Sequence, residues 1–116
     1  MYSIGLEEEY FVFDARSRRA ITRADKAFLT NIKKRLGGNV MTEMLQSQVE
    51  AVTPVCATFD EARAHLTGYR ATLAEEAAAR KLGIAAMGTF PLAVWPEQTV
   101  TPGDRYKGIV SDLGII

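Results

Sequence analysis

Cysteine and histidine are nearly missing from this sequence: each occurs once in 116 residues, as Cys56 and His65. A lone cysteine allows no intrachain disulfide, so a reducing, cytoplasmic home is the default expectation. One His and one Cys cannot assemble a zinc site of the usual type, so any metal here has to be held by oxygen. Excess charge is missing too, with 14 basic residues against 14 acidic. Nothing in that balance points to nucleic acid or an anionic membrane as a partner. No apolar run approaches the length of a membrane span, and the N-terminus lacks the basic region and apolar core of a secretion signal. What remains, 47% hydrophobic and 24% charged, is the composition of one small soluble globular domain over residues 1–116.

What the chain does have is a run of three carboxylates, Gly5-Leu6-Glu7-Glu8-Glu9-Tyr10, inside an apolar, aromatic stretch from Tyr2 to Phe13. That stretch reads as a strand. Alternation puts Gly5, Glu7 and Glu9 on one face and Leu6, Glu8 and Tyr10 on the other. Glu7 and Glu9 stand side by side, and each raises the other's pKa unless a cation sits between them. A hard ion such as Mg²⁺, which takes carboxylate, phosphate and water oxygens, removes the conflict. A strand whose acidic face simply meets water fits the same spacing.

The rest of the chain alternates helices with short strands. Asp14 to Arg19 is a polar turn with solvated arginines, and Ala20-Ile21-Thr22 starts a return strand. Apolar spacing predicts a helix from Arg23 to Leu36, stopped by Gly37-Gly38. Val40 to Thr53 reads as one strand-like stretch carrying Glu43 and Glu50, with Gln46, Gln48 and Glu50 on its polar face. Glu43 and Glu50 are an odd number apart, so they share a site only if Glu43 lies in the entry loop or a bulge intervenes. Pro54 ends the stretch, and Cys56 is read as a small buried filler. Thr58 with Glu61 forms a capping box opening a long helix, with a stripe from Ala62 through Leu66, Tyr69, Leu73 and Ala77 to Arg80 and a C-cap at Gly83. His65 and Arg70 lie off that stripe, and His65 is given no role. Ile84 to Met87 is a short buried strand, followed by the Gly88-Thr89-Phe90-Pro91 turn and a long loop that leads into a helical turn at Arg105. Asp112-Leu113-Gly114-Ile115-Ile116 stops on apolar residues, which reads as a cut. The expected fold is α+β, an antiparallel sheet with helices on one face and an acid-lined opposite face.

Several separated motifs, in order and spacing, resemble the front part of the glutamate-cysteine ligase type 2 family: Gly5 to Tyr10, Gln46 to Glu50 with Thr53-Pro54, the helix up to Gly83, Gly88 to Pro91, and Thr101 through Tyr106. The resemblance implies an N-terminal portion of a glutamine-synthetase-like catalytic domain that uses ATP and Mg²⁺ (or Mn²⁺). Such an enzyme joins a glutamate-like carboxylate to an amine such as that of cysteine through an acyl phosphate. Carried over by position, Glu7, Glu9, Glu43 and Glu50 are metal ligands, while Gln48, Thr89 and Arg105 lie on the substrate side; no residue is assigned as catalytic. Glu8 receives no metal role. The family usually has His where this chain has Phe90, and its later phosphate-holding segments are absent, so the chain alone is expected to be inactive. Loss of the remaining sheet predicts an exposed edge and self-association into a homo-oligomer. The competing reading is a non-catalytic binding module that keeps the sheet and leaves its acids solvated.

Overall fold

A computed structural model describes residues 1–114. Strand β1 (Glu7–Asp14) is the sheet's organising element, because its aromatic and β-branched run supplies side chains to both faces. It pairs antiparallel with β3 (Gln48–Val52) on one side and β4 (Leu82–Ala86) on the other. Strand β2 (Val40–Thr42) pairs with β3, giving the order β2-β3-β1-β4. The first strand is shorter than the sequence pattern suggests. At Ile4 the chain makes an isolated bridge to Cys56, and Leu6 donates its N–H to the Thr53 hydroxyl, so regular pairing to β3 begins at Glu7.

Tyr10 and Val12 of β1 share one face with Val49 and Ala51 of β3 and Val40 of β2. Against them pack Phe28 and Ile32 of α1 (Lys26–Leu36) and Tyr69, Leu73 and Ala77 of α2 (Phe59–Ala78). Burying this set supplies the main favourable term in folding, and it leaves the opposite face of the sheet free of α1 and α2. The architecture is thus α+β, an antiparallel sheet with its core on one side. Asp25 caps α1, accepting the Phe28 N–H, and Thr58 caps α2, accepting the Glu61 N–H. The Glu61 carboxylate in turn accepts the N–H of Ala57. Cys56 is buried and unpaired, as a filler should be. The third helix, α3 (Asp104–Leu113), is tied to β2 by the Tyr106 hydroxyl donating to the Thr42 carbonyl.

Three expectations need correction. The stretch from Val40 to Thr53 is two strands, β2 and β3, joined by the loop Glu43 to Ser47, because Thr101, Thr99 and Val100 take over the pairing of that loop. The long helix ends at Ala78 and turns at Lys81, whose φ is 58°, so Gly83 is no cap. Gly83 instead sits in β4 opposite Phe13, whose ring lies where a Cβ would be. Ala20 to Thr22 makes only a single bridge, Phe13 to Ala20, on the edge of β1 that β3 uses as far as Phe11, where the Val12 N–H already goes to the Ser47 carbonyl. The reading of a cut rests partly on Ile115 and Ile116, which lie outside the described residues.

Candidate functional site

Register settles which acids are neighbours. Glu9 stands directly opposite Glu50, and Glu7 opposite Val52, on the face of the sheet away from α1 and α2. Side chains so opposed have Cβ atoms about 4.5–5.5 Å apart, and like charges there are destabilising. On its other side Glu50 faces Met41, which is 44% exposed, so this part of the face is open. Glu43 lies in the loop that follows β2, which resolves the parity conflict: it need not share a strand with Glu50. Its carbonyl is held by the Thr101 hydroxyl and its carboxylate accepts the Met44 N–H.

The electrostatics of Glu50 report all of these groups. Partial burial pushes its carboxyl above the ordinary glutamate range, and the charges of Glu7, Glu43 and Glu9 push it further, while Arg105 pulls it back. Three carboxylates and one guanidinium therefore act on Glu50. Arg105 stands at the start of α3, its guanidinium 5.8 Å from the Tyr106 ring centroid.

The substrate-side residues divide. Gln48 is two residues from Glu50 on the same strand face, opposite Phe11, and is 9% exposed. Its side-chain oxygen accepts the Leu45 N–H at 3.4 Å. Thr89 is exposed and lies beyond Phe11, on the aromatic end of the face, so it joins Gln48 around a cavity rather than the acids.

On the core face, sequence reasoning missed a network. Glu8 shares that face with Tyr10 and accepts hydrogen bonds from the Tyr10 hydroxyl and from Arg70 of α2, the Arg70 Nε bond being 2.8 Å. Arg70 therefore has a role off the stripe. Its hydrogen bonds hold the Glu8 carboxyl below the ordinary range against the opposing effect of burial, with Tyr10 adding to the lowering. Burial and the adjoining Glu8 push the Tyr10 phenol up. The signal was available in parity, since a carboxylate on the helix-covered face needs a partner, but the partner's identity depends on how α2 lies across the sheet.

The donor set suits a hard cation in kind, being all carboxylate with no competing thiolate or imidazole. Among the described residues no three His, Cys, Asp or Glu side chains stand close enough to form a closed cage.

The model of the family described as Glutamate-cysteine ligase family 2 (GCS2) matches residues 3–114. Among similar curated proteins, one named "Putative glutamate--cysteine ligase 2" from Ectopseudomonas mendocina (strain ymp) is 39% identical over 114 residues, covering 98% of this chain and 30% of the relative. Others carrying the same name, from Jannaschia sp. (strain CCS1) and Roseiflexus castenholzii, are 38% and 36% identical, each over 97% of this chain. The chain spans about 30% of the length of the curated relatives it matches. No helix among the described residues is long and apolar enough to cross a membrane. Matched from residue 3 to residue 114, with every acid of the open face inside the match, the chain belongs to glutamate-cysteine ligase family 2.

Proposed function

We propose that this chain forms one wall of the active site of an ATP-dependent carboxylate-amine ligase with a glutamine-synthetase-like catalytic domain. The reading rests on one observation above all: Glu9 and Glu50 are held opposite each other, with Glu7 and Glu43 in electrostatic reach, on a sheet face that the core does not use. Like charges directly opposite each other in a sheet are destabilising, and a carboxyl raised by burial and by neighbouring acids is the kind of group that functional sites hold.

In the proposed reaction a carboxylate oxygen of a glutamate-like substrate attacks the γ-phosphorus of ATP, the bond to the β-phosphate oxygen breaks, and ADP leaves. The amine then attacks the acyl carbon, the carbon–oxygen bond breaks, and phosphate departs as the amine loses a proton. Glu7, Glu9, Glu43 and Glu50 would hold Mg²⁺ or Mn²⁺, which supplies neutralisation of charge on the transferred phosphoryl group. Arg105, exposed at the start of α3, offers a cation within electrostatic reach of Glu50, suited to orienting a carboxylate or phosphate. Gln48 and Thr89 supply neutral hydrogen-bonding groups towards the substrates. With this chain covering about 30% of the relatives' length, turnover is expected only from the complete polypeptide.

Isotope transfer tests the chemistry. Glutamate labelled with ¹⁸O in its side-chain carboxylate should deliver one labelled oxygen to inorganic phosphate for each amide formed by the complete polypeptide. Amide formation without label in phosphate would rule out the acyl phosphate. The exposure of Glu7 and Glu9 also fits a binding module with solvated acids, and absence of any amine-dependent ATP consumption would favour that reading.

A further inference from the structure

The face that carries the acids at one end carries aromatic rings at the other. Along β1 it reads Glu7, Glu9, Phe11, Phe13, and along β3 it reads Val52, Glu50, Gln48. Phe90, from the loop after β4, lies with its ring centroid 5.5 Å from that of Phe11 and 5.7 Å from that of Phe13. Beside it the loop encloses a cavity of about 300 Å³, whose lining includes Phe11, Phe90, Trp95, Met44, Gln48 and Thr89. The loop is fastened over the sheet by the Ser47 hydroxyl donating to Gln98 at 2.6 Å.

We infer that this cavity receives the side chain of the amine substrate, and that the preferred amine carries an aromatic ring. The inference rests on the ligase reading above and adds the class of acceptor. Three features select the occupant. A volume of about 300 Å³ is at the small end for ligand sites, the size for one ring and its linker, whereas a whole nucleotide needs more. Rings on the wall give an aromatic guest offset or tilted stacking, an attraction beyond burial alone. With no metal bound, the charge one step along the same strands is negative, so the guest's head should then be an ammonium. An anionic head of the same shape would meet Glu9 and Glu50. Gln48, nearly buried between the two ends, accepts the Leu45 N–H through its side-chain oxygen. It is placed to mark the junction of ring and head.

Trp95 is the only tryptophan in the chain and lines the cavity, so its fluorescence reports entry directly. With no ATP or metal present, phenethylamine should change that emission saturably and bind at least tenfold more tightly than ethanolamine, cysteamine or 3-phenylpropionate. Ala93→Leu, which fills the cavity from its lining, should weaken phenethylamine at least tenfold while the far-ultraviolet circular dichroism stays that of the wild type. If that variant does not fold, Thr89→Leu, at an exposed lining position, serves the same purpose. Equal binding of cysteamine overturns the ring preference, and equal binding of 3-phenylpropionate overturns the orientation towards the acids. No saturable change, or unchanged binding in the filled variant, overturns the site. The ¹⁸O transfer is independent of these outcomes, so failure here and failure of the ligase reading are separately visible.

Discussion

Glu50→Gln should make the metal-free protein more stable at neutral pH. The wild-type residue faces Glu9 directly and feels Glu7 and Glu43 as well. Removing one member of an opposed like-charged pair recovers about 0.5–1 kcal/mol, equivalent to roughly 2–5 °C in melting temperature for a domain of this size. A substitution that stabilises the fold by removing a family acid is the signature of a site kept at a cost to stability.

The pH dependence gives the same residue a second readout. Because the carboxyl of Glu50 is raised in the folded state, the native protein binds more protons than the unfolded chain above the ordinary value of 4.5. Its contribution is fully present below 4.5 and is lost as pH rises through the raised folded value. Glu8 has the opposite sign: its carboxyl is lowered, so its contribution is present above 4.5 and lost as pH falls through the lowered folded value. Thermal melts in chelator across pH should show a loss of stability above 4.5 in the wild type and its disappearance in Glu50→Gln, with the acid loss from Glu8 retained. A melting temperature at neutral pH lower in the variant than in the wild type would contradict this account of the face.

Glu8→Ala should be destabilising by about 2–3 kcal/mol, the cost of leaving a buried donor unsatisfied. Tyr10 is 1% exposed and its hydroxyl donates to Glu8, so truncation strands that hydroxyl and also removes the partner of Arg70. Glu8→Gln should cost less, because an amide oxygen can still accept from Tyr10. Tyr10→Phe combined with Glu8→Ala should cost less than the sum of the two single changes, since the phenylalanine leaves nothing to strand. Urea unfolding measures all three. Wild-type stability in Glu8→Ala would mean that the network contributes nothing to holding α2 on the sheet.

Glu8 also shows where reading the sequence stops. Parity alone separated it correctly from Glu7 and Glu9, because side-chain alternation is a local property of a strand. Its partner Arg70 is 62 residues away in sequence, and no local pattern carries the angle at which α2 crosses β1. The same limit governs Glu43 and Glu50. Their odd spacing was visible, and so was the condition under which they could meet, but the break between β2 and β3 depends on the distant segment Thr99 to Thr101 pairing with the intervening loop. Gly83 looked like a helix stop because glycine commonly is one; the ring of Phe13 lying against it is a cross-strand contact that periodicity does not encode. The α+β class, the Gly37 stop, the Thr58 capping box and the family resemblance were legible because each rests on local spacing or on motifs present in the chain itself.

The most direct measurement is the melting temperature of the protein titrated with Mg²⁺ or Mn²⁺ at constant ionic strength, beside the double variant Glu9→Gln, Glu50→Gln. A ligand that binds only the native state stabilises it by about 2.7 kcal/mol at a hundred times its dissociation constant. The wild type should therefore show a saturable rise that the variant lacks. An unmoved melting temperature in the wild type, or an equal rise in both proteins, would contradict the claim that these carboxylates were gathered to hold a divalent cation.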